Sequence, residues 1–176
     1  GMFFDDATHA AEWFYWMLGK PVSVMAEIDN IVTDVAPDDN GLAIFRFNRG
    51  IIGVLLNSST TVAAIGTTEI YGDEGTILQD YGDAPATSAP RPDDAVPLRS
   101  IRRGDTQWTE YPLAIPAGQG ERIADVARPF IEYLKGERPA PVTAAEGRVS
   151  VEMVLGAYES ASEGRRVSFP LGYERR

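Results

Sequence analysis

The chain has 176 residues, 44% of them hydrophobic and 24% charged, enough for one well-formed core and short for two domains. Its formal net charge of −10, with Lys and Arg scattered, argues against a nucleic-acid partner, because phosphate backbones demand clustered cations. The absence of cysteine excludes disulfide scaffolds, thiolate catalysis and thiolate metal sites, and a single histidine excludes a histidine-rich metal centre.

Gly1 ahead of Met2 has the form of a tag residue left before a start methionine. The first element is a helix: in "FFDDATHAAEWFYW", Asp5 or Asp6 is placed to cap a run that reaches about Leu18 and stops at Gly19, with Pro21 beyond. Residues 21–35 alternate as a long strand. "PDDNG" (37–41) is a turn, and strands follow over 42–48 and 51–59. Residues 67–82 form a hairpin with Asp73-Glu74-Gly75 at its tip. The stretch 83–97, rich in Pro, Ala and Asp, is expected to be a mobile surface loop. Two more strands lie within 98–103 and 107–115; the basic run Arg99 to Gly104 reads as a solvated strand end. Helices come late, at about Glu121 to Leu134, stopped by Gly136, and at about Ala144 to Glu163. The second opens with the capping-box spacing Thr143 to Glu146 and closes at Gly164. "RRVSFPL" ends the pattern as a short strand.

One helix, a run of strands and two helices describe an α+β domain over 1–176: an open, mostly antiparallel sheet with helices packed on one face and no Rossmann domain. "IIGVLL" (51–56) puts apolar side chains on both sides of its strand, which calls for a cover on the open face, most simply a second copy of the chain. A homodimer is therefore expected. By parity Ile51 and Ile52 belong to opposite faces, so a lysine at one should split the dimer and at the other damage the core. No run reaches the roughly 18 apolar residues of a membrane span, and no basic region precedes an apolar stretch; a cytoplasmic protein without membrane contact is expected.

Chemistry-bearing patterns are few. There is no Gly-x-Ser-x-Gly elbow and no EF-hand-like cation loop. Gly118-x-Gly120 precedes a helix, but Ile123 occupies the third glycine position and no βαβ unit surrounds it, so no cofactor site is expected in this chain. Asp5 and His9, four residues apart on one helical face, can form an acid–imidazole pair. Trp13 and Trp16 share that face, so packing of the histidine among aromatics is the competing reading.

The segment "FFDDATHAAEWFYWMLGKPVSVMAEI", with Asp5-x-x-x-His9 opening its helix, resembles the start of the C-terminal domain in the glucose-fructose oxidoreductase / inositol dehydrogenase (Gfo/Idh/MocA) family. Further matches follow in order: "GIIGVLLNSS", "TEIYGDEGTI", and a closing stretch from Phe130 to Leu171 that carries Ala-Tyr-x-Ser-Ala at 157–161. The resemblance implies a domain that binds substrate and builds the oligomer. It would be joined in the complete enzyme to a Rossmann domain, or paired with a chain, that holds NAD or NADP. Substrates would be sugars, polyols or related hydroxy compounds. His9 would be the acid–base and Asp5 its orienting partner, a role imidazole suits because it titrates near neutral pH. Ala7 stands where the family often has Gly, and Glu12 holds the acidic position after the histidine. The phosphate loop and the Glu-Lys-Pro motif of the nucleotide domain are absent, so the chain alone is expected to be inactive as a dehydrogenase. A stand-alone binding or assembly module, in which Asp5 and His9 are relics, is the alternative.

Overall fold

The computed structural model describes residues 1–34, 37–62, 68–80, 92–114 and 119–172. Most of the loop expected at 83–97, and Gly118 of the rejected dinucleotide pattern, lie outside them. The elements run α1 (Met2–Leu18), β1 (Pro21–Asp29), β2 (Asn40–Phe47), β3 (Ile52–Ser58), β4 (Thr68–Tyr71), β5 (Gly75–Gln79), β6 (Leu98–Arg102), β7 (Thr109–Tyr111), α2 (Gln119–Leu134), α3 (Ala144–Glu163) and β8 (Val167–Ser168). This is an α+β fold with antiparallel strands, as the sequence implies. The chain divides into two compact units, residues 1–60 with 142–176 and residues 61–141. The strands accordingly form two four-stranded sheets, β3-β2-β1-β8 and β4-β5-β6-β7.

In the first unit α1 and α3 cover one face of the sheet. Alternation on β2 turns Gly41, Ala43, Phe45 and Phe47 inward, and Val24, Ala26 and Leu55 join them from β1 and β3. Against these pack Phe3, Ala7 and Ala11 of α1, spaced four apart on one helical stripe, and Met153, Val154 and Ala157 of α3. Each of the large side chains contributes roughly 1.5–3 kcal/mol by leaving water. Phe14 meets Phe45 and Phe47 edge-on, with ring centroids 6.1 and 5.9 Å away.

Helix α1 comes close to the sheet because two inward positions carry no side chain. A Cβ at Gly53 would lie 2.8 Å from the Phe14 ring, and one at Gly41 would overlap the ring of Phe3. Helix α3 is fixed at both ends: Thr143 and Glu146 form the expected capping box, and Gly164 closes it in the left-handed region at φ 61°. Ser160, fully buried, accepts from the Ala26 amide at 3.1 Å and donates to the Arg165 carbonyl at 2.6 Å. Ala26 lies beyond the two-residue reach of β8, so the hydroxyl satisfies an amide the short strand leaves open.

Strand β1 stops at Asp29 rather than continuing to residue 35. The carboxylate of Asp39, 3% exposed, accepts from the amides of Ile31, Val32 and Thr33 at 2.7–2.9 Å, and the Asp39 amide donates to the Asp29 carbonyl. One buried carboxylate thus turns the chain where alternation in the sequence would have it run on.

The second unit holds the expected hairpin, β4 and β5, extended by β6 and β7. Arg99 lies 5.3 Å from the centroid of Trp108 and pairs with Asp80 at 3.0 Å. No residue of these four strands is buried. Ile123, Val126, Phe130 and Leu134 form an exposed apolar stripe on α2. Among the described residues, no helix is long and apolar enough to cross a membrane.

Candidate active site

The α1 stripe that enters the core decides where its polar residues go. With Phe3, Ala7 and Ala11 facing the sheet, Asp5 and His9 fall on the far side, and both are exposed. Trp16, on the same side, is 76% exposed, and Trp13 is half-buried. His9 is therefore not packed among the two tryptophans. Nor are Asp5 and His9 hydrogen-bonded to each other: among the described residues neither side chain makes a hydrogen bond or ion pair. Both are solvated, with no neighbour holding them together.

Their flanking carboxylates are tied down. Asp6 accepts from the side-chain amide of Asn57 on β3, and Glu12 accepts from the hydroxyl of Ser150 on α3. These two contacts fix the rotation of α1 on either side of His9 and leave Asp5 and His9 as the free polar groups of a held helix. Functional side chains on a rigid element are placed more sharply than on a loop.

The N-terminus of α1 is capped from a distance, not by Asp5 or Asp6. The helix begins at Met2, which puts both aspartates too far along it to serve the first amides. Asp38 does so instead: its carbonyl accepts from the Met2 amide at 3.1 Å and its carboxylate from Phe3 at 2.7 Å. The Tyr158 hydroxyl accepts from Phe4 at 3.1 Å and donates to the Asp38 carboxylate at 2.6 Å. Burial alone would raise the Asp38 carboxyl, but the bonds from Tyr158 and Phe3 outweigh it and hold the group below its ordinary value. Burial and the neighbouring Asp38 charge both push the Tyr158 hydroxyl up. Sequence reasoning missed Asp38 because its partners lie 35 and 120 residues away; the one available signal was Tyr158 in Ala-Tyr-x-Ser-Ala.

Asp39 stabilises the turn that delivers Asp38. Bonds led by that from the Ile31 amide, against the opposing effect of burial, hold its carboxyl well below the usual carboxylate range. A lowered folded-state value means that the contribution is complete above the unfolded value near about pH 4 and lost as pH falls below it. Asp39→Asn is thus expected to lower the melting temperature most near neutral pH, with the gap to wild type closing in acid. Melting curves across pH check this; a gap independent of pH would remove Asp39's charge from the account.

Among the described residues, no group of three or more His, Asp or Glu stands close enough to hold a metal ion. Among the described residues every strand pair is antiparallel, and none of them presents the βα turn on which a dinucleotide pyrophosphate rests.

Residues 1–78, which include α1 with Asp5 and His9, match the family model of the GFO/IDH/MocA C-terminal domain. The family resemblance read from the sequence is confirmed there. Solved structures extend the likeness of fold over nearly the whole chain. The WlbA dehydrogenase from Bordetella pertussis, in complex with NADH and UDP-GlcNAcA, is similar at a TM-score of 0.70 and 22% identity, covering 97% of this chain and 46% of its own. Levoglucosan dehydrogenase in complex with NADH is similar at 0.76 and 20%, covering 94% and 49%. The putative oxidoreductase yvaA from Bacillus subtilis gives 0.74 and 23%, covering 96% and 53%. The chain thus spans about half the length of these structures. Comparison with curated proteins finds no match.

Proposed function

We propose that this chain is the substrate-binding and oligomerising half of an NAD(P)-dependent oxidoreductase acting on a sugar, polyol or related hydroxy compound. The observation that carries the reading is the pair Asp5 and His9, exposed and untied on a helix anchored around them, within the stretch that matches the GFO/IDH/MocA C-terminal domain. When bound, NAD(P) supplies the hydride acceptor; its site would belong to a further domain or a partner chain, since the sheets here are antiparallel. This chain's part is the proton. His9 takes it from the substrate hydroxyl as the carbonyl forms, and Asp5, one helical turn earlier on the same face, orients the ring and balances the imidazolium. The test joins the chain to its nucleotide-binding half and measures dinucleotide reduction across a panel of sugars, polyols and simple alcohols. Turnover confined to polyhydroxylated substrates supports the reading, and none with any hydroxy compound contradicts it.

The same reading includes a homodimer through the open face of the first unit's sheet. There Ile52, Val54 and Leu56 of β3 lie across from Arg46, Ile44 and Leu42 of β2, and Met25 of β1 extends the row. Val54 and Leu56 are 60% and 76% exposed. A stable dimer here would bury more than roughly 1,000 Å² with an apolar centre. Ile52→Lys is expected to split it while leaving the protomer folded, as sedimentation and circular dichroism would show; a wild type that sediments as a monomer contradicts the dimer. Ile51 is not the core residue that parity implies. It precedes β3 as the last residue of the turn after β2 and is itself exposed. Leu55, 5% exposed, is the inward position, so Leu55→Lys is the variant expected to damage the core.

A further inference from the structure

The first unit contains a cavity of about 290 Å³ at the far end of α1, between the start of β1, the turn after β2, and α3. It lies past the C-terminal end of α1, whose last residue Leu18 is about 13 Å along the helix axis from His9 by the helical rise, and is independent of the reading above. Its walls are apolar: Pro21, Val149, Met153 and Phe169 line it, with Met153 fully buried. That volume is well above the roughly 150 Å³ that admits benzene and at the low end of small-molecule sites.

Three polar side chains reach the cavity, and they are not equivalent. Glu152 is committed, because its carboxylate accepts from the Leu171 amide at 2.7 Å and so holds the segment that carries Phe169. Lys20 and Asn48 are uncommitted: among the described residues neither side chain has a hydrogen-bond or ion-pair partner. Both lie exposed at the mouth of the cavity, where their donors face solvent and are open to a ligand. An ammonium and an amide donor beside an apolar chamber match a carboxylate head with a short hydrocarbon tail.

We propose that this cavity binds a small amphipathic monocarboxylate, its head held by Lys20 and Asn48 and its tail against Met153 and Phe169. The test is a backbone-amide NMR titration of the intact chain with hexanoate, hexylamine and hexanol. Hexanoate is expected to saturate shifts confined to the segments around Lys20, Asn48, Val149 and Phe169, and to bind at least about tenfold more tightly than the other two, the scale of one charge-assisted hydrogen bond. Lys20→Gln, at an exposed position, should weaken hexanoate by a similar factor. Val149→Phe, which fills the chamber and leaves Lys20 in place, should abolish binding, with dispersed spectra showing that both variants are folded. Equal affinity for hexylamine, shifts that map elsewhere, unsaturable shifts, or full binding by either folded variant would overturn the proposal.

Discussion

Replacing His9 by alanine in the complete enzyme is expected to lower kcat by a factor of about 10²–10⁴, the usual cost of losing a positioned acid–base, with a much smaller change in KM. The expectation rests on His9 being exposed and unbonded while its neighbours are engaged: Asp6 on Asn57 and Glu12 on Ser150. Because His9 supports no packing, His9→Ala should melt at nearly the wild-type temperature, which separates chemistry from folding. Asp5→Asn should reduce kcat less and alter its pH profile, since an amide keeps the size of the carboxylate and removes its charge. Unchanged turnover in His9→Ala would take the residue out of the mechanism.

A large structural effect is expected from the small substitution Gly41→Ala. The added Cβ would overlap the ring of Phe3, which is 1% exposed and held edge-on to Tyr158 at 6.0 Å, so the ring has little room to yield. Overpacking of this kind costs about 1–3 kcal/mol, more than the roughly 0.4–1 kcal/mol gained when alanine narrows the unfolded ensemble. For a chain of this length the melting temperature should fall on the order of 5 °C. A double-mutant cycle identifies the cause: in a Phe3→Leu background the same substitution should cost distinctly less. Equal costs in both backgrounds would show that the ring is not what Gly41 accommodates.

The periodic parts of the fold were legible because they are set by local rules. The first helix was legible from its stop at Gly19 and Pro21, although the stripe of Phe3, Ala7 and Ala11 that it buries was not singled out. The apolar runs "LAIFRF" and "IIGVLL", separated by a turn, mark two strands, and Thr143, Glu146 and Gly164 mark the ends of α3 at the residues where they lie. What escaped depends on partners remote in sequence. Asp38 caps a helix that ends twenty residues earlier, and Asp39 ends β1 by drawing three following amides onto one carboxylate. The division of the strands into two sheets is likewise a matter of pairing, which strand periodicity does not encode. At the candidate site the sequence placed Asp5 and His9 on one helical face but left open whether His9 is packed among Trp13 and Trp16 or exposed; its exposure, and the contacts that hold α1 on either side of it, depend on tertiary packing.

The central claim, that this chain supplies a proton-handling half and not the hydride acceptor, is tested most directly by comparing the chain alone with the chain joined to its nucleotide-binding half. Calorimetric titration with NAD(H) and NADP(H) should give no saturable binding to the chain alone, and hydroxy-substrate-dependent dinucleotide reduction should arise only in the joined protein. Tight saturable binding of either dinucleotide by this chain, or turnover without the second half, would contradict the account.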